Sequence, residues 1–362
     1  MQPRDSSSET EELTLNAMPH ADPHVLARAQ RQFTIQKAWH NALPTVLYKA
    51  ASRSLPPSDT ITVCTSTIFP PLAIVWNAVV KKCMEDTCDV FIFDCAGTLD
   101  PASVPGATVQ RFLNVRHATK IDTWIRQTLK NRRIAWICDD DVFPIHAGAI
   151  TAIVREFAQP KTATVSLRPR TWWHFDMDGT SVQPSGSYCI ALDTELFAKE
   201  HLSAQPADGN THPTHTGKKW TRYDTLDKAN EELLKREYRC AILPEEERGE
   251  YTAGFNGTSI AALLLHKFRS ADALLAYMRA VTPAQWQGNV FPRCLQALLA
   301  ADIIRDLYGH ITAKPWPYAS LPAKSDMLAL RKNAEPYLSP SHQLTDMDTT
   351  AQKLHSILSP DT

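Results

Sequence analysis

The sequence lacks an excess of charge of either sign. Its 362 residues carry 38 Lys and Arg against 39 Asp and Glu, a net charge of −1. A general electrostatic grip on nucleic acid needs a basic surface, so nucleic acid is not an expected partner, although a balanced total says nothing against a local patch. The chain also lacks a long apolar run. Nothing approaches the roughly 20 residues of a membrane helix, and Leu263-Leu264-Leu265 reads as part of a short buried helix. No signal-peptide pattern is present in MQPRDSSSETEE, so a soluble, cytoplasmic protein with no transmembrane segment is expected. No internal repeat is visible. The eight cysteines do not supply a zinc-type spacing, because Cys83 and Cys88 stand alone as a pair and a structural zinc site needs four ligands. Cys64, Cys95 and Cys138 lie in or beside apolar runs, where reduced thiols act as small hydrophobes.

What is present centres on Ile134-Ala135-Trp136-Ile137-Cys138-Asp139-Asp140-Asp141-Val142-Phe143-Pro144. A short apolar run suits a buried strand. It stops on three carboxylates, which repel one another and raise each other's pKa unless a cation neutralises them. In open α/β sheets ligands bind beyond the carboxyl ends of the strands. A metal site there competes with a solvated acidic loop. Asp139 and Asp141 alternate to one side of an extended chain and Asp140 points away, so the outer two are the expected ligands and Asp140 a supporting residue.

The rest of the chain alternates strand and helix signals. Residues 1–22 are polar and acidic and are expected to be disordered. Residues 23–57 form an N-terminal helical segment ending in a Pro-rich linker. Apolar runs at 60–65, 89–94, 134–138, 162–167 and 188–192 read as strands, with helical patterns at 119–131, 145–157 and 224–236, a short third strand within 109–115, and a last one at 239–243. The alternation predicts an α/β fold with a mostly parallel sheet over 58–260. Helices follow over 261–312, then a Pro-rich tail at 313–362.

The order of these pieces resembles the GT-A-fold glycosyltransferases, in particular the family-2-like ones. The resemblance rests on Thr65-Ser66-Thr67 ending the first strand, Asp94-Cys95-Ala96-Gly97 ending the second, Asn114 to Lys120 leading into a helix, and Asp139-Asp140-Asp141 with a following Pro as the Asp-x-Asp motif. It implies a nucleotide-binding sheet, a nucleoside-diphosphate-sugar donor, a carbohydrate or other hydroxyl acceptor, and a divalent cation, Mn²⁺ or Mg²⁺. Thr65, Asp94, Lys120 and Asp139 would hold the nucleotide, and Asp139 and Asp141 the cation. Later, Ser185 to Asp193 resembles the family's acceptor-side strand, and Asp227 to Arg239 its late helix, whose opening acid is the general base in inverting members. Asp227 is the nearest match and Asp224 its rival; either could equally be a helix-start acid.

Other patterns compete. Phe93-Asp94-Cys95-Ala96-Gly97-Thr98 and Phe175-Asp176-Met177-Asp178-Gly179-Thr180 look like the nucleophile loop of haloacid-dehalogenase-type phosphatases. A catalytically silent binding or scaffold protein is a further alternative. Trp172, Trp173 and His174 could stack on a sugar or plug a loop. His212 and His215 read as metal ligands or as solvated residues of a mobile polar loop, and His146 as a ligand or a helix-packing residue.

Overall fold

The computed structural model describes residues 53–111, 114–171, 173–212, 214, 221–255, 257–288, 290–338 and 344–359. The expectations for the N-terminal tail, for residues 23–52, and for Trp172 and His215 fall outside these residues. The described residues divide into two compact units: a sheet unit of residues 53–67 and Val80–Ala253, and a helical unit of Ile68–Val79 with the described residues from Gly254 on.

The sheet unit contains β1 (Thr62–Thr67), β2 (Asp89–Asp94), β3 (Ala107–Arg111), β4 (Ile134–Cys138), β5 (Val142–Pro144), β6 (Thr162–Ser166), β7 (Phe175–Met177), β8 (Thr180–Val182), β9 (Cys189–Asp193), β10 (Ala207–Asp208), β11 (Arg222–Tyr223) and β12 (Arg239–Ile242). Seven of them form one sheet in the order β12-β6-β9-β4-β1-β2-β3. Neighbours run parallel except β9, which is antiparallel to both β4 and β6. The expected α/β class with a mostly parallel sheet flanked by helices is the one observed. The central strands β1, β2 and β4 are rich in β-branched or aromatic residues and buried on both faces, as parallel strands covered by helices are.

Helix α1 (His117–Thr123) runs directly into a π-turn over Trp124–Thr128. Its Trp124 packs edge-on against Phe91 and Phe93 of β2, at centroid distances of 5.9 and 5.5 Å. Helix α2 (Thr194–Lys199) starts where the Asp193 carboxylate accepts the Leu196 N–H at 2.8 Å, an N-cap that satisfies one orphan donor. Helix α3 (Asp227–Lys235) follows Leu226, whose φ of 65° is left-handed. All eight cysteines are free.

In the helical unit, helix Val290–Thr312 buries residues all round, including Leu295, Leu298 and Ile304, which makes it the unit's central element. The tail is more ordered than its prolines suggest. It holds helices Lys324–Ala334 and Thr345–Leu358, tied together by a bidentate Arg331–Asp348 pair with both bonds at 2.7 Å. Among the described residues no helix is long and apolar enough to cross a membrane.

Candidate functional site

The three acids leave the strand at once. The Val142 N–H donates to the Asp139 carbonyl at 3.0 Å, closing a turn with Asp140 and Asp141 at its centre. This corrects the alternation argument, which holds only for extended chain. In the turn the three carboxylates still act on one another, and Asp140 takes a hydrogen bond from Thr67. The electrostatics follow. Burial, then Asp141 and Asp140, raise the Asp139 carboxyl well above its ordinary value. Burial, then Asp141, push Asp140 up to about 7, against a hydrogen bond from Thr67 and the charge of Lys120.

Lys120, one helical turn into α1 and 7% exposed, is the cation acting on Asp139 and Asp140. Its Nζ donates to Ser66 Oγ at 3.5 Å. The end of β1 therefore meets the acid turn through Ser66 and Thr67. Thr65 lies inside the strand, wholly buried. His117, at the start of α1, places Nε2 3.7 Å from Asp139 Oδ1. Burial, then Lys120, lower its pKa to about 4, so the ring is neutral at physiological pH.

Asp94 is also wholly buried. Its carboxylate accepts the N–H groups of Ala96 (3.0 Å), Gly97 (2.8 Å) and Leu99 (3.0 Å), with Arg111 Nε 3.6 Å away. It organises its own loop, and its oxygens are occupied. Asp176 is exposed and closes the β7–β8 hairpin, accepting the Gly179 N–H at 3.0 Å. Asp178 and Gly179 carry φ of 51° and 82°, the double left-handed turn that Asp-Gly favours. Asp94 thus has both oxygens engaged within its own loop, and Asp176 serves the turn of an exposed hairpin.

The acceptor-side candidates form a second cluster. Asp227 opens α3 but is wholly buried. Its Oδ1 accepts from Arg170 Nε at 2.7 Å and its Oδ2 from the Asp224 N–H at 2.9 Å. Burial, the largest influence, holds its pKa up at about 6 against the pull of Arg170. Asp224 is different, with a side chain 20% exposed and 3.0 Å from Arg170 Nη2. Of the two, Asp224 is the one a substrate could reach. The two clusters meet at Tyr188, whose carbonyl accepts the Asp139 N–H at 2.8 Å and whose hydroxyl takes a hydrogen bond from Arg170 at 3.2 Å. His117 also feels the charge of Asp224.

Trp173, His212 and His146 are engaged in local packing and hydrogen bonds. Trp173 is a fully buried plug packed on Phe175, His212 and Tyr223. His212 is neither solvated nor a ligand. Its Nδ1 accepts the Asp176 N–H at 3.0 Å, so Nε2 carries the proton and donates to the buried Glu231 at 3.1 Å. His146 accepts the Gly148 N–H at the start of helix Gly148–Phe157 and stacks on Tyr251.

No family model matches the sequence, and no curated protein matches it either. Among solved structures the chain is similar to the mannosyltransferase PcManGT from Pyrobaculum calidifontis in complex with GDP-Man and Mn²⁺, at 14% identity over 90% of this chain and 96% of that one, with a TM-score of 0.38. It is similar to S. aureus TarS 1-349 at 8% identity over 83% and 90% of the two chains, TM-score 0.34. It is also similar to 4-diphosphocytidyl-2C-methyl-D-erythritolsynthase from Anaerococcus prevotii, at 10% identity over 51% and 86%, TM-score 0.33. Scores this low carry no argument about activity, which rests on the site itself.

Proposed function

We propose that the sheet unit is a metal-dependent glycosyltransferase that binds a nucleoside-diphosphate sugar at the acid turn and passes the sugar to an acceptor hydroxyl. The observation that carries this reading is the charge balance of the turn. Three carboxylates share one turn at the carboxyl end of β4, and Lys120 supplies a single positive charge against them. Two negative charges are left over when all three ionise, a surplus that suits a divalent cation.

Asp139 and Asp141 would hold that cation. Among the described residues no three His, Cys, Asp or Glu side chains form a ready metal cage. Magnesium is commonly held by one or two carboxylates plus substrate phosphates. When bound, the cation supplies Lewis-acid stabilisation of the departing diphosphate. Lys120, with Ser66 and Thr67 beside it, adds charge and hydrogen bonds for the phosphates. Asp94 contributes by holding the loop after β2 in shape.

Asp224 takes the acceptor's hydroxyl proton, the acceptor oxygen bonds the anomeric carbon, and the bond from that carbon to the diphosphate oxygen breaks. A base facing the leaving group gives inversion. The test is a thermal-shift series with UDP, GDP, dTDP and CMP, with and without Mn²⁺, since ligands of the native state raise its apparent stability. At least one nucleotide is expected to give a metal-dependent shift that Asp141→Asn abolishes. Asp224→Asn should keep that shift while transfer falls by about 10²–10⁴-fold. The absence of any metal-dependent shift, or full transfer by Asp224→Asn, defeats the reading.

A further inference from the structure

The side chain at the centre of the second cluster is Arg170, in the irregular stretch after β6. Its backbone is pinned on both sides: the Arg170 N–H donates to the Pro184 carbonyl at 2.9 Å, and Gln183 Nε2 donates to the Arg170 carbonyl at 2.9 Å. The side chain is 2% exposed. Its guanidinium reaches Asp227 Oδ1 (2.7 Å), Asp224 Oδ2 (3.0 Å), the Tyr188 hydroxyl (3.2 Å) and the Thr225 carbonyl (3.4 Å), and lies 5.4 Å from the centre of the Tyr188 ring. A planar fork with several donors suits such a set, and a lysine could not reproduce it.

Burying an ion triad is a weak route to stability, because the desolvation cost offsets most of the attraction. The triad is also unbalanced, with two carboxylates on one cation. Its members differ in access, since Asp227 is sealed and Asp224 is open on one side. Asp227 therefore holds the guanidinium in place through Nε, while Nη2 lies against Asp224 Oδ2 and Nη1 donates to the Tyr188 hydroxyl.

We propose that Arg170 is the positioning residue of the acceptor side: it holds the Asp224 carboxylate in place, and through Tyr188 it ties Asp224 to the turn that carries Asp139. The role of Asp224 as base rests on the reading above; the hold of Arg170 on Asp224 does not. The groups that act on Asp224 are Arg170, Asp227 in the same turn, His117 from α1 and Tyr188. Among these, Arg170 supplies the positive charge. Its own pKa is raised by Asp227 and Asp224 despite burial, so it stays charged throughout.

The experiment uses the full chain labelled with ¹³Cγ-Asp, with Asp224→Asn and Asp227→Asn providing the assignments. The Asp224 resonance at neutral pH is expected to shift or broaden in Arg170→Lys, and more so in Arg170→Gln, as loss of the fork predicts. In a transfer assay kcat should fall by about tenfold or more in Arg170→Lys while nucleotide affinity stays unchanged, and the same substitution should cost little more in an Asp224→Asn background, because residues that act through one another are not additive. Should Arg170→Gln fail to fold, Arg170→Lys decides alone. An Asp224 resonance unchanged in the folded variants overturns the proposal. If the parent protein transfers no sugar, the transferase reading fails by itself, and the Asp224 resonance still decides whether Arg170 positions Asp224.

Discussion

Asp140→Asn should stabilise the protein in the absence of divalent cations, and only above the acidic range. In the fold the Asp140 carboxyl is pushed from its ordinary 3.8 to about 7. A raised carboxyl costs nothing below its unfolded value, where both states are protonated. Stability is then lost as pH rises towards 7, because the native state binds the proton more tightly. The shift of about three units corresponds to about 4 kcal/mol at pH 8, at 1.36 kcal/mol per unit. Asp140 is only half-buried and shares its shift with Asp139 and Asp141, so about half of that, ~2 kcal/mol, is the working figure. For a unit of this size that is about 4–8 °C in Tm. Asparagine keeps an acceptor for the Thr67 hydroxyl, so the hydrogen bond survives. His117 has the opposite slope: its pKa falls to about 4, and it gains stability as pH rises from there towards 6.5. That slope is common to both proteins and cancels in the difference. Melts of wild type and Asp140→Asn in EDTA at pH 4 and pH 8 are the assay. A variant that melts below wild type at pH 8, or whose gain is the same at both pH values, refutes the claim that the turn is electrostatically strained.

Two further outcomes test the structure behind the site. Trp173→Ala should cost about 3–5 kcal/mol, the usual price of a large-to-small change at a fully buried aromatic, and thermal melts read it; unchanged stability with a raised acceptor KM would restore the sugar-stacking role. Gly186→Ala should disturb the acceptor side, because a Cβ there would lie 2.1 Å from the Arg168 carbonyl oxygen and 2.5 Å from the Tyr188 ring. Its near-ultraviolet circular dichroism should change, and an unaltered spectrum with normal Tm would show that the backbone yields without moving Tyr188.

The sheet was legible because each strand is a short apolar run between polar segments. The acids after β4 were legible because charge does not belong at the end of such a run without a reason. Direction was not. Cys189–Asp193 is as apolar as its neighbours, and nothing in Cys-Ile-Ala-Leu-Asp says that it runs against β4 and β6. The turn at Asp139–Val142 was missed because three acids after a strand read as more strand, although Asp favours turns and the apolar restart at Val142 marks one. The Asp178-Gly179 hairpin carried a clear signal, hidden by its likeness to a phosphatase loop. In the tail, Met327, Leu330 and Ala334 keep a helical spacing that the surrounding prolines masked. Arg170 left no local trace. Its partners lie 18 to 57 residues away in the chain, and a lone arginine in an irregular stretch reads as a surface residue.

The reversed strand gives the site its geometry. Parallel strands all present their carboxyl ends on one edge, where ligands bind in open α/β sheets. β4 ends there with the acid turn, and β6 ends there shortly before Arg170. A parallel β9 would bring only its own carboxyl end, at Asp193, to that edge. Running antiparallel, it pairs Cys189 with Cys138 and Asp193 with Ile134, so its start meets the end of β4. Tyr188 thereby arrives beside Asp139 from 49 residues further along the chain, its carbonyl on the turn and its hydroxyl on Arg170. Gly186, two residues earlier, admits the close approach of the chain to Arg168. The acid turn and Asp224 are thus linked through Tyr188, at the mouth of a reversed strand, and Arg170. A tyrosine-to-phenylalanine change at 188 would spare the backbone half of that link and remove the other.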